Sequence, residues 1–150
     1  MRALVQRVAK ARVRVGGRIT GEIGHGLLLF VGVANDDTEK DVDYIAAKVP
    51  VLRVFEGTDG QPMDRSLRDV GGSVLVVSQF TLFAKTHGQS RPSFSEAAPS
   101  EKAQELYDKL VRQLQTMNIN VATGKFRAMM QVELVNDGPV TILIDSQRKR

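Results

Sequence analysis

Three polar side chains stand at the end of one of the most apolar runs in the chain: Ser73-Val74-Leu75-Val76-Val77 leads into Ser78, Gln79 and, past Phe80, Thr81. Hydroxyls and an amide at the rim of a core could position an ester, donate to an oxyanion or attack a carbonyl. Attack by Ser78 or Thr81 would need a general base and a third group to orient that base. The only imidazoles are His25 and His87, and no G-x-S-x-G elbow surrounds either serine or threonine. H-E-x-x-H, Walker A and calcium-loop patterns do not occur. Cysteine is missing altogether, which excludes thiolate catalysis, disulfides and a cysteine-bound zinc, so neither a metal nor another cofactor is expected. The plainer reading of Ser78 and Thr81 is that they satisfy backbone groups, and the residues alone leave both readings open.

A second group with chemical potential is Asn136-Asp137-Gly138-Pro139-Val140-Thr141, which interrupts two apolar segments. Proline supplies no amide donor and glycine removes the Cβ that would hold another group away, so this backbone could present carbonyls to a ligand. A plain hairpin turn uses the same residue types. Whether the bond before Pro139 is cis does not follow from spacing.

Both groups need elements to hold them. Gly71-Gly72 followed by the aliphatic run predicts a strand buried on both faces, ending near Ser78. Residues 2–15 alternate, with Ala9, Ala11, Val13 and Val15 on one face and Lys10, Arg12 and Arg14 on the other. Gly16-Gly17 predicts a hairpin turn returning along Arg18 to Ile23, and Leu27 to Val33 a central strand. Thr38 closes a cluster of cap residues before Val42, Ile45, Ala46 and Val49, which repeat at helical spacing until Pro50. Val51 to Phe55 reads as a strand, Gln61 to Val70 as a loop or weak edge, and Ala84 to Pro99 as a surface loop. Residues 100–117 form the clearest helix, its stripe of Leu106, Tyr107, Leu110 and Leu114 fit for core packing and Ser100 a candidate cap. Short strands over Val121 to Gly124, Met129 to Val135 and Val140 to Asp145 complete an α+β pattern of mainly antiparallel sheets covered by two main helices.

The 150 residues and 42% hydrophobic content suit one domain with a sizeable core. No signal peptide or apolar run of membrane-spanning length is present, so a cytoplasmic protein without a membrane partner is expected. Residues 1–20 hold Arg2, Arg7, Lys10, Arg12, Arg14 and Arg18 and no acid, and Arg148, Lys149 and Arg150 end the chain. Such a charge distribution attracts polyanions, although a solvated strand face explains it equally.

Ser78-Gln79-Phe80-Thr81-Leu82 and Asn136-Asp137-Gly138-Pro139-Val140-Thr141 together closely resemble the two signature motifs of the D-aminoacyl-tRNA deacylases, formerly D-tyrosyl-tRNA deacylases. The resemblance extends over nearly the whole chain, through Met1 to Val8, Gly26-Leu27-Leu28, Leu52 to Phe55, Arg91-Pro92-Ser93-Phe94 and Met130-Gln131-Val132. It implies hydrolysis of the ester between a D-amino acid and the terminal adenosine of tRNA. It also implies a homodimer whose site joins Ser78, Gln79, Phe80 and Thr81 of one subunit to a cis Gly138-Pro139 unit of the other. In that setting backbone amides near Gln79 and Phe80 would stabilise the oxyanion, the RNA 2′-hydroxyl would assist attack, and Thr81 is disfavoured as nucleophile. The carbonyls of Gly138-Pro139 would exclude L side chains, so glycyl-tRNA should also be cleaved. Phe126 and Met130 match positions near the adenosine pocket, while Arg127 and Met129 depart from the family pattern. A non-catalytic RNA-binding domain and a Thr81-dependent esterase are the alternatives.

Overall fold

A long antiparallel hairpin opens the chain in the computed structural model, which describes residues 1–147. The basic tail Arg148-Lys149-Arg150 lies outside the described residues. Strand β1 (Arg2–Val15) turns at Gly16-Gly17, whose φ values of 55° and 79° supply the two positive angles of a tight hairpin turn. The return continues through β2 (Arg18–Ile23) into β3 (Gly26–Gly32), and both pair with β1. Helix α1 (Glu39–Lys48) follows, capped by a reciprocal Thr38–Asp41 box. Val49-Pro50-Val51 forms a 3₁₀ turn rather than the start of a strand, because proline at its second position fits a helical turn; β4 is only Arg53–Phe55. The stretch expected as a loop or weak edge holds β5 (Arg65–Ser66) and the one-turn helix α2 (Leu67–Val70). Ser66 and Asp69 cap α2 and Gly71, at φ 62°, ends it, so this turn carries its own start and stop signals despite its length.

Strand β6 (Ser73–Ser78) comes next, then α3 (Ser100–Thr116), β7 (Val121–Thr123) and β8 (Gln131–Asp145). Pro99, not Ser100, occupies the cap position of α3, and no side chain caps it. The main sheet runs β2-β1-β3-β6-β7, with β8 on the other edge of β1. Antiparallel pairs predominate, but β6 lies parallel to both of its neighbours, β3 and β7. The two segments expected at 129–135 and 140–145 are one strand: β8 pairs with β1 on both sides of residues 137–140, which have no partner on β1, and the register slips there. Gly138-Pro139 therefore sits on a bulge in a continuous strand and not in a hairpin turn.

Two cores lie on opposite faces of the sheet. Leu27, Leu29, Val31, Val74 and Val76 pack against Val42 and Ile45 of α1 and Leu106, Leu110 and Leu114 of α3. Leu28, Leu75 and Val77 face Val8, Ala11, Val13 and Ile23 inside the curl of the sheet. Strand β6 is thus buried on both faces, as its uninterrupted aliphatic run requires. The curl brings β2 against β7, where a Cβ on Gly21 would lie 2.2 Å from the Thr123 carbonyl oxygen. The simple alternation expected along β1 holds on either side of one break: Ala3 and Val5, and again Ala11 and Val13, are buried, but between them Val8 points inward and Ala9 is exposed, because the β1–β8 register shifts around Val8.

The cations of β1 are largely neutralised by acids distant in sequence. Arg2 pairs with Asp145 at 3.2 Å, Arg7 with Asp137 at 3.5 Å, and Arg12 and Arg14 both reach Glu133, at 2.9 and 2.6 Å. The hollow between β1, β2 and β8 is consequently lined by the paired Arg12, Glu22 and Glu133, with Lys10 its one unpaired cation among the described residues.

Candidate functional site: an aromatic cleft at the end of the central strand

The end of β6 is set from three sides. Its parallel register aligns Ser78 with Val31, and the Gln79 amide donates to the Val31 carbonyl at 2.7 Å, prolonging that pairing by one residue. On the helix side, the buried Tyr107 hydroxyl donates to the Val76 carbonyl at 2.8 Å, and the Gly124 amide reaches the same oxygen at 3.1 Å. Burial, followed by the nearby Asp108 charge, raises the Tyr107 pKa far above the ordinary phenol range, so the hydroxyl stays a donor at any working pH. The sheet then gives way to a 3₁₀ turn over Phe80–Phe83.

That turn decides which groups could act on a substrate. The Gln79 amide, expected as an oxyanion donor, is already committed to Val31. The Phe80 and Thr81 amides open the turn and, among the described residues, donate to no backbone carbonyl, so these two remain for the purpose. The Thr81 hydroxyl accepts from the Gln79 side-chain amide. Neither histidine accompanies it. His25 packs edge-on against Phe55 at 5.1 Å, and its carbonyl accepts from Ser73 at the opposite end of β6, ~16 Å of strand away from Ser78. His87 is exposed on the loop after the turn. A hydroxyl–imidazole pair is not assembled.

Beside the turn lies a cleft of about 660 Å³ lined by Ser78, Gln79, Phe80, Phe94, Phe126 and Met130, with Arg127 and Met129 at its edge. Phe80 is 55% exposed and makes an edge-to-face contact with Phe94 at 4.9 Å, while Phe126 leans on Tyr107 at 5.9 Å. An open hollow with aromatic walls and a few polar groups suits a flat apolar moiety such as a nucleobase, which can stack on exposed rings. Phe94 belongs to the wall although the sequence places it in a loop of no periodicity; the family-like run Arg91-Pro92-Ser93-Phe94 is the signal that marks it. Tyr107, read as core, also supports the cleft through Val76.

Five residues of the predicted site, Ser78, Gln79, Phe80, Phe126 and Met130, are gathered here, while the exposed Thr81 sits on the turn itself. Gly138 and Pro139 do not line the cleft. Their peptide bond is cis, and both residues are exposed. Arg7, which sequence reasoning treated only as charge, fastens this bulge: it donates to the carbonyls of Asp137 at 2.9 Å and Val54 at 2.6 Å, while Asn136 donates to the carbonyls of Arg7 at 2.9 Å and Val140 at 3.0 Å. By contrast Arg2, at the start of β1, donates to the Leu82 carbonyl within the turn at 2.8 Å. The five-residue step from Arg2 to Arg7 separates the two anchoring points by ~16 Å along β1. Among the described residues no cluster of three His, Asp or Glu side chains could hold a metal, and no helix is long and apolar enough to cross a membrane.

The fold and the relatives together define a small α+β enzyme of the ester-hydrolase class. The sequence family described as D-Tyr-tRNA(Tyr) deacylase matches residues 4–145, and the chain belongs to it. Proteins named D-aminoacyl-tRNA deacylase from Thermotoga petrophila and Symbiobacterium thermophilum are 54% and 51% identical over 148 residues, covering 99% of this chain and 99% and 97% of theirs. A solved structure titled c-Myc DNA Unwinding Element Binding Protein superimposes with a TM-score of 0.93 at 38% identity, covering 99% of this chain and 100% of that one. Another, of a probable eukaryotic D-amino acid tRNA deacylase, shares the fold at a TM-score of 0.83 with 16% identity over 95% of this chain and 97% of its own.

Proposed function

We propose that the chain acts as one domain that hydrolyses the ester of D-aminoacyl-tRNA, releasing the D-amino acid and tRNA in the cytoplasm, and so removes D-residues before translation. The observation that carries this reading is the 54% identity over 148 residues to a protein of that name, a span that includes every residue of the cleft and the bulge. The terminal adenosine lies in the aromatic cleft against Phe126 and Met130, and the ester carbonyl lies over the turn. Its developing oxyanion is held by the Phe80 and Thr81 amides, each worth about 3 kcal/mol by comparison with such donors elsewhere.

Attack is assisted by the 2′-hydroxyl of the RNA itself. The geometry around Thr81 supports this, because its oxygen accepts from Gln79 and neither histidine accompanies it. Chirality is judged by the backbone of Gly138-Pro139, against which an L side chain collides whatever its chemistry. Glycine has no such side chain and its tRNA ester is also cleaved.

The bulge reaches the cleft from a second subunit. Its exposure outside the cleft of its own chain supports that arrangement, as does the open outer edge of β8, a 15-residue strand with Val135 46% and Leu143 52% exposed. The test compares amino-acid release from D- and L-aminoacyl-tRNA. D-selective release is expected. Thr81→Ala should retain activity, and tRNA lacking the terminal 2′-hydroxyl should be a poor substrate; a dead variant together with normal cleavage of the deoxy tRNA would overturn the assisted mechanism. Binding without turnover would instead mark a non-catalytic RNA-binding domain.

A further inference from the structure

Arg127 occupies a backbone position that opposes it. The Ala128 amide donates to the Lys125 carbonyl at 3.2 Å, closing a four-residue turn whose third position, Arg127, has φ 63°. A positive angle at the third but not the second residue is the type II pattern, where glycine or asparagine is preferred because an L side chain crowds its own backbone. Only two other non-glycine residues among those described share this property, Met63 and Asn118, and neither lines the cleft. The second residue of the turn is Phe126, which forms part of the cleft wall. The turn therefore fixes the side chains of Phe126 and Arg127 next to one another at the cleft, one half-buried and the other exposed.

Arg127 is the one charged residue among the described residues that line the cleft, and no carboxylate among the described residues pairs with it. The arginines of β1 differ, since Arg2, Arg7, Arg12 and Arg14 are each matched by an acid. A free guanidinium beside an aromatic wall combines the two features that hold single-stranded RNA: a stacking surface for a base and a fork of donors for a phosphate. From this juxtaposition, and resting on the assignment of the cleft to the RNA terminus, we infer that Arg127 binds a backbone phosphate of the RNA 3′ end and is a positioning residue for the ester. Lys125 at the first position of the turn, also exposed and without an acid partner among the described residues, adds to the positive potential there.

The test uses Arg127→Gly, which removes the charge and suits the backbone angle, and Arg127→Lys, which keeps the charge. Rates are measured on D-aminoacyl-tRNA and on the D-aminoacyl ester of adenosine, which has no phosphate. For Arg127→Gly the ratio of kcat/KM on tRNA to kcat/KM on the adenosine ester should fall five- to tenfold, through KM. The slope of log kcat/KM on tRNA against log salt should lessen by about 0.7, the value for one phosphate contact on a single strand. Arg127→Lys should keep most of that slope. An unchanged ratio and slope would overturn the inference, as would an equal loss on both substrates, which would point to the shape of the turn. If the wild-type protein cleaves neither ester, the proposed reaction fails; binding of a labelled single-stranded RNA ending in adenosine then decides the inference alone. Weaker binding by Arg127→Gly supports it, and equal binding by the two proteins, or none by either, overturns it.

Discussion

The Tyr107 hydroxyl ties α3 to the β6 residue two positions before Ser78. The bond is buried and neutral, and such bonds contribute about 1 kcal/mol net. Tyr107→Phe should therefore lower unfolding stability by about 1 kcal/mol in urea, without collapse, because the Val76 carbonyl keeps its bond from Gly124. Since the lost hydroxyl also anchors the support of Phe126, catalytic efficiency should fall more than stability alone accounts for. Arg127 works in the opposite direction. Its left-handed angle costs about 1 kcal/mol that glycine would not incur, so the fold tolerates it rather than requires it. Gly138 combines φ 143° with neighbours that leave no room for a side chain: a Cβ there would come within 2.8 Å of the Val140 amide nitrogen and 3.1 Å of Arg7 Nη2.

Among the elements, the single turn of α2 has more influence on the site than its four residues suggest. It connects β5 to β6 and fixes where β6 begins, through the Gly72 amide on the Leu67 carbonyl and the Ser73 amide on the His25 carbonyl, both at 3.2 Å. The Asp69 carboxylate stabilises that turn by accepting from the Ser66 amide at 2.9 Å. Hydrogen bonds from the Ser66 amide and hydroxyl hold its pKa below the ordinary 3.8, with Arg53 and Arg65 adding to the effect. A carboxylate whose folded pKa is depressed contributes stability that is present above the unfolded value and lost as pH falls through the folded one. Stability should thus decline as pH drops below 3.8, and Asp69→Asn should reduce that dependence. Urea midpoints between about pH 3 and pH 5 measure it; an identical acid limb in the variant would contradict this account of the turn. Asp41 in the α1 box adds to the same limb. Burial raises its pKa, but bonds from Ser146 and the Thr38 amide, the N-terminal charge and Gln147 outweigh that and lower it.

For the whole molecule, the separation of bulge and cleft is the feature with the sharpest consequence. If each site takes its cleft from one subunit and its Gly138-Pro139 bulge from the other, two inactive variants can complement each other. Gln79→Ala alters the cleft half, Gly138→Ala the bulge half, and each alone should reduce D-aminoacyl-tRNA hydrolysis at least tenfold. Refolded together in equal amounts, half of the dimers are mixed and each has one intact site, so activity should return to about a quarter of wild type. Failure of a dimeric mixture to recover any activity would place the complete site within one chain. The same dimer would cover the open edge of β8, which a lone subunit leaves available for unwanted pairing.

Local patterns determined much of this protein. The aliphatic run of β6, the glycine pair between β1 and β2, the Thr38 cap and the apolar stripe of α3 each specify an element through steric preference or periodicity, and all four form as expected. The two motifs and their family were legible for the same reason: their residue types are fixed by close backbone approach and by a rim position on a buried strand. Contacts between residues far apart in the chain were not legible. Only the tertiary structure pairs Arg12 and Arg14 with Glu133, more than a hundred residues away, turning an apparent polyanion-binding face into a neutralised one. It also commits the Gln79 amide to Val31, leaves the Phe80 and Thr81 amides without a backbone acceptor among the described residues, and converts an expected turn at Gly138-Pro139 into a bulge. Sequence periodicity reports which face of an element is apolar, whereas hydrogen-bond partners and strand register depend on the neighbouring strand, and that neighbour is chosen by the packing of the whole chain.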